Sequence, residues 1–265
     1  MADSTIRRAT KDRHDLLVSL LRSGVDTVET LAERTGVSPS TVRRDLTLLQ
    51  RTGRIARTYG GAFARETFHE RSFGESAQVN QPAKAAIAAV AAGLLPEGGS
   101  VFLDAGTTCL ALARLLAERE SRTVVTRGLE AALLLSRHEH LNVVMLGGQV
   151  RPLSHGVIGP LASLAFERLT FDVAFLGADA VDPVHGLGEP TIQETFVKEQ
   201  AADRAGAVVL LADSSKLRPT SVPAWVTPGA GWTFVTDAAA EPSSLDALRA
   251  NGVQVLLAES ARLRR

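Results

Sequence analysis

Residues whose types and spacing could do chemistry fall into two groups along this chain. The first group is Ser38-Pro39-Ser40-Thr41-Val42-Arg43-Arg44 with Thr47 just beyond it, two guanidiniums on a stretch rich in hydroxyls. Arg pairs bidentately with guanine, and Ser and Thr bond phosphates or base edges, so this set suits DNA. Farther on, Arg54, Arg57 and Tyr59 stand before the pair Gly60-Gly61, as on one side of a small β wing suited to backbone or minor-groove contact. The second group is five short polar loops that follow apolar runs: Asp104-Ala105-Gly106-Thr107-Thr108, Thr126-Arg127-Gly128, Gly147-Gly148, Gly177-Ala178-Asp179 and Asp213-Ser214-Ser215-Lys216. Where such a loop leads from a strand into a helix, free N–H groups and the helix dipole favour an anion; Gly106 permits close approach and the Thr hydroxyls add donors. A well-capped helix reads the same way, the Gly147-Gly148 pair also fits a plain turn, and Asp179 suits either a sugar hydroxyl or a turn cap. Taken together, the five loops fit a small, polyhydroxylated, anionic ligand such as a sugar phosphate. The first loop lacks both the Lys of a Walker A loop and the G-x-G-x-x-G spacing, which argues against ATP and NAD, and no cofactor is expected. His69, His138, His140, His155 and His185 have no metal-ligand spacing, so no metal is expected either. A single cysteine, Cys109, excludes a disulfide framework and reads as a packing residue.

The elements that must position these residues follow from periodicity. Leu16, Leu17, Leu20 and Leu21 share one helical face; Thr27 can cap a second helix through Val28, Leu31 and Ala32; Gly36 suits a left-handed stop. Ser38 then caps a third helix whose first turn takes Pro39 and whose inner face is Val42, Leu46 and Leu49. Two short helices joined by a Gly-containing turn describe a helix-turn-helix, whose second helix enters the major groove. A generic three-helix module with solvated Arg residues is the plainer alternative. Phe63–Pro82 is polar and aperiodic, and reads as a linker that docks back through Phe68 and Phe73. From residue 83, seven strand-like runs alternate with helical ones, the pattern of a largely parallel sheet covered on both faces. The expected fold class is α/β: a small N-terminal winged helix-turn-helix over residues 1–62, and a larger C-terminal Rossmann-like domain over residues 83–265. Ligands of such sheets bind beyond the carboxyl ends of the strands.

Charge supports the division. The 265 residues carry 29 basic and 29 acidic side chains, a formal zero that taken whole argues against a nucleic-acid partner. Residues 1–62 hold eleven of the basic and seven of the acidic ones, so a +4 module is joined to a −4 module. Only 4 of the basic residues are Lys: Lys11, Lys84, Lys198 and Lys216. The polar start, Met1–Lys11, is no secretory signal, and no run of about 18 apolar residues predicts a membrane span, so a cytoplasmic location is expected.

Val37-Ser38-Pro39-Ser40-Thr41-Val42-Arg43-Arg44-Asp45-Leu46, followed by a basic stretch ending in Gly60-Gly61-Ala62, resembles the signature of DeoR-family bacterial transcription regulators. The resemblance continues through Lys84, Leu103–Thr108, Val125-Thr126, Leu146-Gly147-Gly148, Gly177-Ala178-Asp179, Lys198 and Asp213–Lys216, and so spans about residues 8–258. It implies a repressor of carbohydrate genes, released from double-stranded operator DNA by a phosphorylated sugar, with a sensor domain on the ribose-5-phosphate isomerase fold. The implied DNA-binding residues are Ser38, Ser40, Thr41, Arg43, Arg44, Thr47, Arg54, Arg57 and Tyr59. The implied effector residues are Asp104, Gly106, Thr107, Thr108, Thr126, Arg127, Gly147, Gly148, Asp179, Lys198 and Lys216. Three positions depart from the family pattern: Arg127 stands where Asn is usual, Ala180 where Gly is common, and Ala83 where Glu is common.

The rival reading is an active sugar-phosphate isomerase fused to a DNA-binding head. Aldose–ketose isomerisation needs a base beside the carbonyl. The isomerase motifs D-G-A-D, K-G-G-G and R-E-K appear here with Leu176 for the first Asp and Val197 for the Glu, and without the Gly-rich stretch. Groups that hold a sugar phosphate remain while those that move protons are replaced, so no enzyme is expected. Glu194, one turn before Lys198, reads as its i,i+4 partner. A helix-turn-helix reads only a short half-site, so a homo-oligomer, dimer or tetramer, is expected.

Overall fold

The computed structural model describes residues 2–22, 27–51, 55–58, 61–64, 68–217 and 221–259. The chain divides into two compact units, residues 1–68 with 219–221 and residues 69–218 with 222–265. Gly24, Gly53, Arg54 and Tyr59, and the side chain of Arg57, lie outside what is described.

In the first unit, helices α1 (Ala2–Arg22), α2 (Val28–Thr35) and α3 (Pro39–Arg51) precede an antiparallel hairpin of β1 (Ile55–Thr58) and β2 (Gly61–Ala64). The expected inner faces meet: Leu17, Leu21, Leu31, Val42, Leu46, Leu49 and Ile55 form one buried cluster. The turn between α2 and α3 is fixed locally. Thr27 Oγ1 accepts the Thr30 N–H, Gly36 takes φ +67°, and the Val37 N–H donates to the Ala32 carbonyl at 3.2 Å. A side chain at Gly36 would be strained in that left-handed conformation. Ser38 Oγ then accepts the Thr41 N–H at 3.2 Å and starts α3.

The second unit opens with α4 (Phe73–Gln78), α5 (Gln81–Ala92), β3 (Ser100–Leu103), α6 (Thr107–Leu116), β4 (Arg122–Thr126), α7 (Leu129–Leu135) and β5 (Leu141–Met145). A short hairpin of β6 (Gln149–Val150) and β7 (Val157–Ile158) leads to α8 (Pro160–Phe166), β8 (Phe171–Gly177), β9 (Ala180–Asp182), β10 (Gly186–Glu189) and α9 (Ile192–Asp203). The unit closes with β11 (Ala205–Leu211), a 3-10 turn (Ser214–Leu217), β12 (Ala224–Val226), β13 (Thr233–Asp237), α10 (Pro242–Ala250) and β14 (Gln254–Ala258). The seven strands expected from the sequence form one all-parallel sheet in the order β14-β13-β11-β8-β3-β4-β5. Successive strands are added on one side from β3 to β5 and on the other from β8 to β14, so strand order reverses between β3 and β8, and their carboxyl ends are the switch point where α/β sheets bind ligands.

Side-chain alternation along β3 divides the core. Val101 and Leu103 pack with Ile87, Leu112 and Leu116 of α5 and α6. Phe102 points the other way and meets Phe166 and Phe171, each ring 5.4 Å from its own. Both faces are therefore covered, as the near-continuous apolar runs of these strands require.

Two features differ from the sequence reading. Residues 73–78 of the expected linker are helical, because Ser72 and Glu75 form a reciprocal capping box. The small antiparallel sheet β12-β10-β9 was not expected either. Its strands are three or four residues long and carry Gly186 and Gly188, whose added Cβ atoms would lie 2.1 Å from the Val226 carbonyl oxygen and 2.3 Å from Val222. Such close backbone approach depends on distant partners and leaves no local periodicity.

Candidate functional site

The exposed side of α3 gathers Ser38, Ser40, Thr41, Arg43 and Arg44. Ser38 Oγ lies 2.8 Å from Ser40 Oγ and 2.9 Å from Thr41 Oγ1, a cluster of hydroxyls at the helix start. Arg43 has an exposed ion-pair contact with Glu29 at 3.6 Å, a weak restraint on either side chain. Thr47 is half-buried and donates back to the Arg43 carbonyl at 2.8 Å. Asp45, inside the same motif, faces inward. It accepts from Arg13 Nε at 2.6 Å and pairs with His14 Nε2 at 3.1 Å, fastening α3 to α1. Burial works to raise its carboxyl, and the hydrogen bonds from Arg13 and His14 outweigh that and hold it below the usual range. The sequence reading passed over Asp45 because its partners lie about thirty residues away.

In the second unit a cleft of about 740 Å³ opens at the carboxyl ends of β3 and β8. Seven of the eleven effector candidates line it: Gly106, Thr107, Thr108, Arg127, Asp179, Lys198 and Lys216. Gly106 caps α6 at φ +104° with no side-chain cap, so the first-turn N–H groups face the loop unscreened. Asp104 lies beneath the cleft, fully buried, and accepts from Arg127 Nε, Lys198 Nζ, the Ala105 N–H at 2.8 Å and the Gly177 N–H at 3.0 Å. Burial would raise this carboxyl, but the Arg127 and Lys198 charges overcome it and hold it at about 2. Asp104 therefore organises the floor, and its oxygens are occupied by the protein.

Besides Asp104, three candidates fall outside the cleft lining. Thr126 is fully buried, and its hydroxyl accepts the Gly128 N–H at 3.1 Å. Gly147 and Gly148 are exposed, and an added Cβ at Gly148 would lie 2.4 Å from the Ile158 carbonyl oxygen. Gly148 thus serves the close approach of the chain entering β6 to β7, whereas a Cβ at Gly147 would meet Leu161 only at 4.0 Å.

The cleft cations are mostly engaged by protein oxygens. Lys84 donates to the carbonyls of Ser76 at 2.5 Å and Val79 at 2.8 Å, closing the end of α4. Lys198 reaches Asp104, the Gly177 carbonyl at 2.9 Å and, at 3.1 Å, Glu189. Lys216 pairs with Asp179 at 2.9 Å. Glu194 is not the partner of Lys198 that its i,i+4 spacing suggested. It pairs with Arg151 at 2.6 Å, accepts from Ser154 at 3.1 Å and lies 3.7 Å from Arg127 Nη1. Arg151 also grips Glu70 through two bonds of 2.7 Å, so a chain of alternating charges runs from residue 70 to the cleft floor. Glu70, Arg151 and Glu189 were not read from the sequence; their partners are remote in the chain and no spacing rule marks them. Glu189 Oε1 lies out of hydrogen-bond alignment with Lys198 and has no hydrogen-bond partner. Burial first, with the nearby Asp179, Glu194 and Asp104 charges against the opposing pull of Lys198, raises the Glu189 carboxyl to about 8. Among the described residues no group of three or more His, Cys, Asp or Glu side chains could hold a metal ion, and no helix is long and apolar enough to cross a membrane.

A helix-turn-helix with an exposed Arg pair, joined in one chain to an α/β domain with a polar cleft at its switch point, defines a DNA-binding regulator with a small-molecule sensor. Residues 13–68 match the DeoR-like helix-turn-helix domain and residues 79–238 the DeoR C terminal sensor domain; the chain belongs to the DeoR family. It is 35% identical over 230 residues to the HTH-type transcriptional regulator GlpR of Haloferax volcanii, covering 86% of this chain and 90% of that one. It is 34% identical over 205 residues to the glycerol-3-phosphate regulon repressor of Haemophilus influenzae, covering 77% and 80%. The ribose 5-phosphate isomerase A structure from Methanocaldococcus jannaschii aligns with a TM-score of 0.39 at 22% identity, over 51% of this chain and 54% of that one. The protein is a DNA-binding transcriptional regulator rather than an enzyme.

Proposed function

We propose that the cleft takes a phosphorylated sugar and that its binding releases the protein from double-stranded operator DNA, so that the regulator acts as a repressor of carbohydrate genes. The observation that carries this reading is the uncapped N-terminus of α6, where Gly106 at φ +104° leaves N–H groups and the Thr107 and Thr108 hydroxyls open at the switch point. An anion is favoured there, while Asp179 and Glu189 on the same cleft offer acceptors for sugar hydroxyls. The Haemophilus influenzae relative, named for the glycerol-3-phosphate regulon, supports a phosphorylated carbohydrate as the ligand class.

On the DNA side, Ser38, Ser40, Thr41, Arg43 and Arg44 read a half-site; Thr47, and from the sequence Arg54, Arg57 and Tyr59, complete the set of DNA-contacting residues. One such head covers too few base pairs for specificity, so the working form is a homo-oligomer, dimer or tetramer, in the cytoplasm. The effector shifts the equilibrium only by its differential affinity for the DNA-competent and released states. The test is a gel-shift titration on an operator fragment selected in vitro, with and without a panel of four-, five- and six-carbon sugar phosphates. One panel member should release the DNA and raise the melting temperature; a protein that binds DNA but ignores every phosphorylated sugar overturns the reading.

A further inference from the structure

Of the three buried cations that line the cleft, Lys84 donates to two backbone carbonyls, and Lys198 to the Asp104 carboxylate and the Gly177 carbonyl. Arg127 differs. Its side chain is 2% exposed, its Nε is held by Asp104, and its Nη1 is buried without a hydrogen-bond partner among the described residues. Glu194 Oε1 approaches Nη1 only to 3.7 Å, an attraction that fixes the guanidinium without satisfying the N–H. The surrounding backbone leaves room for it: a Cβ at Gly156 would lie 2.4 Å from Nη1 and 3.0 Å from the Ala105 Cβ, so the guanidinium occupies space that only a glycine at 156 provides. Nη1 thus stands beside the start of the Asp104–Thr108 loop. A buried donor left unbonded costs free energy in the empty protein, and a ligand oxygen that accepts from it recovers that cost. A guanidinium pinned through Nε presents a rigid N–H edge that matches carboxylate or phosphoryl oxygens better than neutral hydroxyls.

We propose that Arg127 is a specificity-determining residue of this cleft: its Nη1 donates to an oxyanion of the effector, a carboxylate or a phosphoryl group, and so selects which sugar derivatives act. The inference rests on the sensor reading above and deepens it. Asp104 stays paired with Lys198 when Arg127 is replaced, so the floor keeps one of its two counter-charges. Arg127→Asn installs the residue usual in the family; Arg127→Lys keeps the positive charge and loses the rigid edge.

The experiment is calorimetric titration of wild type, Arg127→Asn and Arg127→Lys with glucose 6-phosphate, ribose 5-phosphate, gluconate and gluconate 6-phosphate, with ligand-free melting as the control for folding. Both variants should lose about tenfold or more in affinity for the anionic ligands that wild type binds, as expected for a lost charged hydrogen bond. Loss for every phosphorylated ligand identifies the phosphoryl group as the partner, and loss confined to the two sugar acids identifies the carboxylate. A variant that melts normally and binds every ligand as wild type does overturns the role of Arg127 while leaving the sensor reading in place. If wild type binds none of the phosphorylated probes, the sensor reading fails for this ligand class and the Arg127 inference falls with it.

Discussion

The two units use charge in opposite ways. On α3 the guanidiniums of Arg43 and Arg44 are exposed, and Arg43 approaches an exposed Glu29 at 3.6 Å. At the cleft, Arg127, Lys198, Asp104, Glu189 and Glu194 are all buried and nearly all paired with one another. The difference follows from dielectric. A charge in water loses little by waiting, so a DNA-reading surface can hold its Arg residues loose and collect counterion release when a polyanion arrives. A charge in a protein interior must be satisfied by the protein, so a sensor cleft is built as a balanced network in which few groups are left for the ligand. Asp45 marks the boundary within the head itself, since the one acidic residue of the motif is buried and paired like a cleft residue.

Removing a charge should therefore damage the cleft most. Asp104→Ala leaves Arg127 and Lys198 buried without their shared carboxylate, and should cost about 3–5 kcal/mol of stability. Urea unfolding of the full chain measures it, and a loss below about 1 kcal/mol would mean that the network relaxes and the contrast with the head is overstated. Arg43→Ala or Arg44→Ala should leave melting unchanged and weaken specific operator binding by about 1–3 kcal/mol, read by gel shift at fixed salt. Unaltered operator affinity would place the reading face elsewhere on the head.

Smaller effects sharpen the picture of the rim. Lys216 is partly exposed and pairs with Asp179, so Lys216→Ala should fold normally, bind operator as wild type does, and lose about tenfold in effector affinity. Thr107→Ala should act in the same direction through the α6 anion seat. A separate effect concerns pH. The native Glu189 carboxyl keeps its proton up to about 8, against an ordinary value of 4.5. The native state therefore binds more protons than the unfolded chain between about 4.5 and 8, and the stability from this group falls as pH rises through that window. Glu189→Gln should flatten that part of the melting profile; an unchanged slope would assign the dependence to another group.

Much of the fold was legible because its signals are local. The capping pattern around Thr27, Gly36 and Ser38 and the alternation of apolar runs depend on neighbours within about one turn or one strand. The seven strands of the parallel sheet follow from those runs. The capping box of Ser72 and Glu75 was equally local and was read past, because the surrounding composition suggested a linker. The site was legible in part for the same reason. Gly106, Thr107 and Thr108 sit where strand runs into helix, a junction visible in sequence, and they line the cleft. Gly147 and Gly148 also follow a strand, but they lead into the β6–β7 hairpin, and Gly148 is held against β7.

The sequence by itself determined the two-part architecture, the helix-turn-helix with its exposed Arg pair, the strand ends that carry polar loops and the membership of the family. Only the tertiary structure decided which of those polar groups remain available. Asp104 and Lys198 are chemically suited to a ligand but are consumed by each other across 94 residues of chain, and Lys84 is taken up by the carbonyls at the end of α4. Arg127, an Arg at a position where the family usually has Asn, keeps an N–H unbonded. Periodicity and capping report contacts a few residues apart, whereas the pairing of buried charges depends on which strand ends the sheet brings side by side.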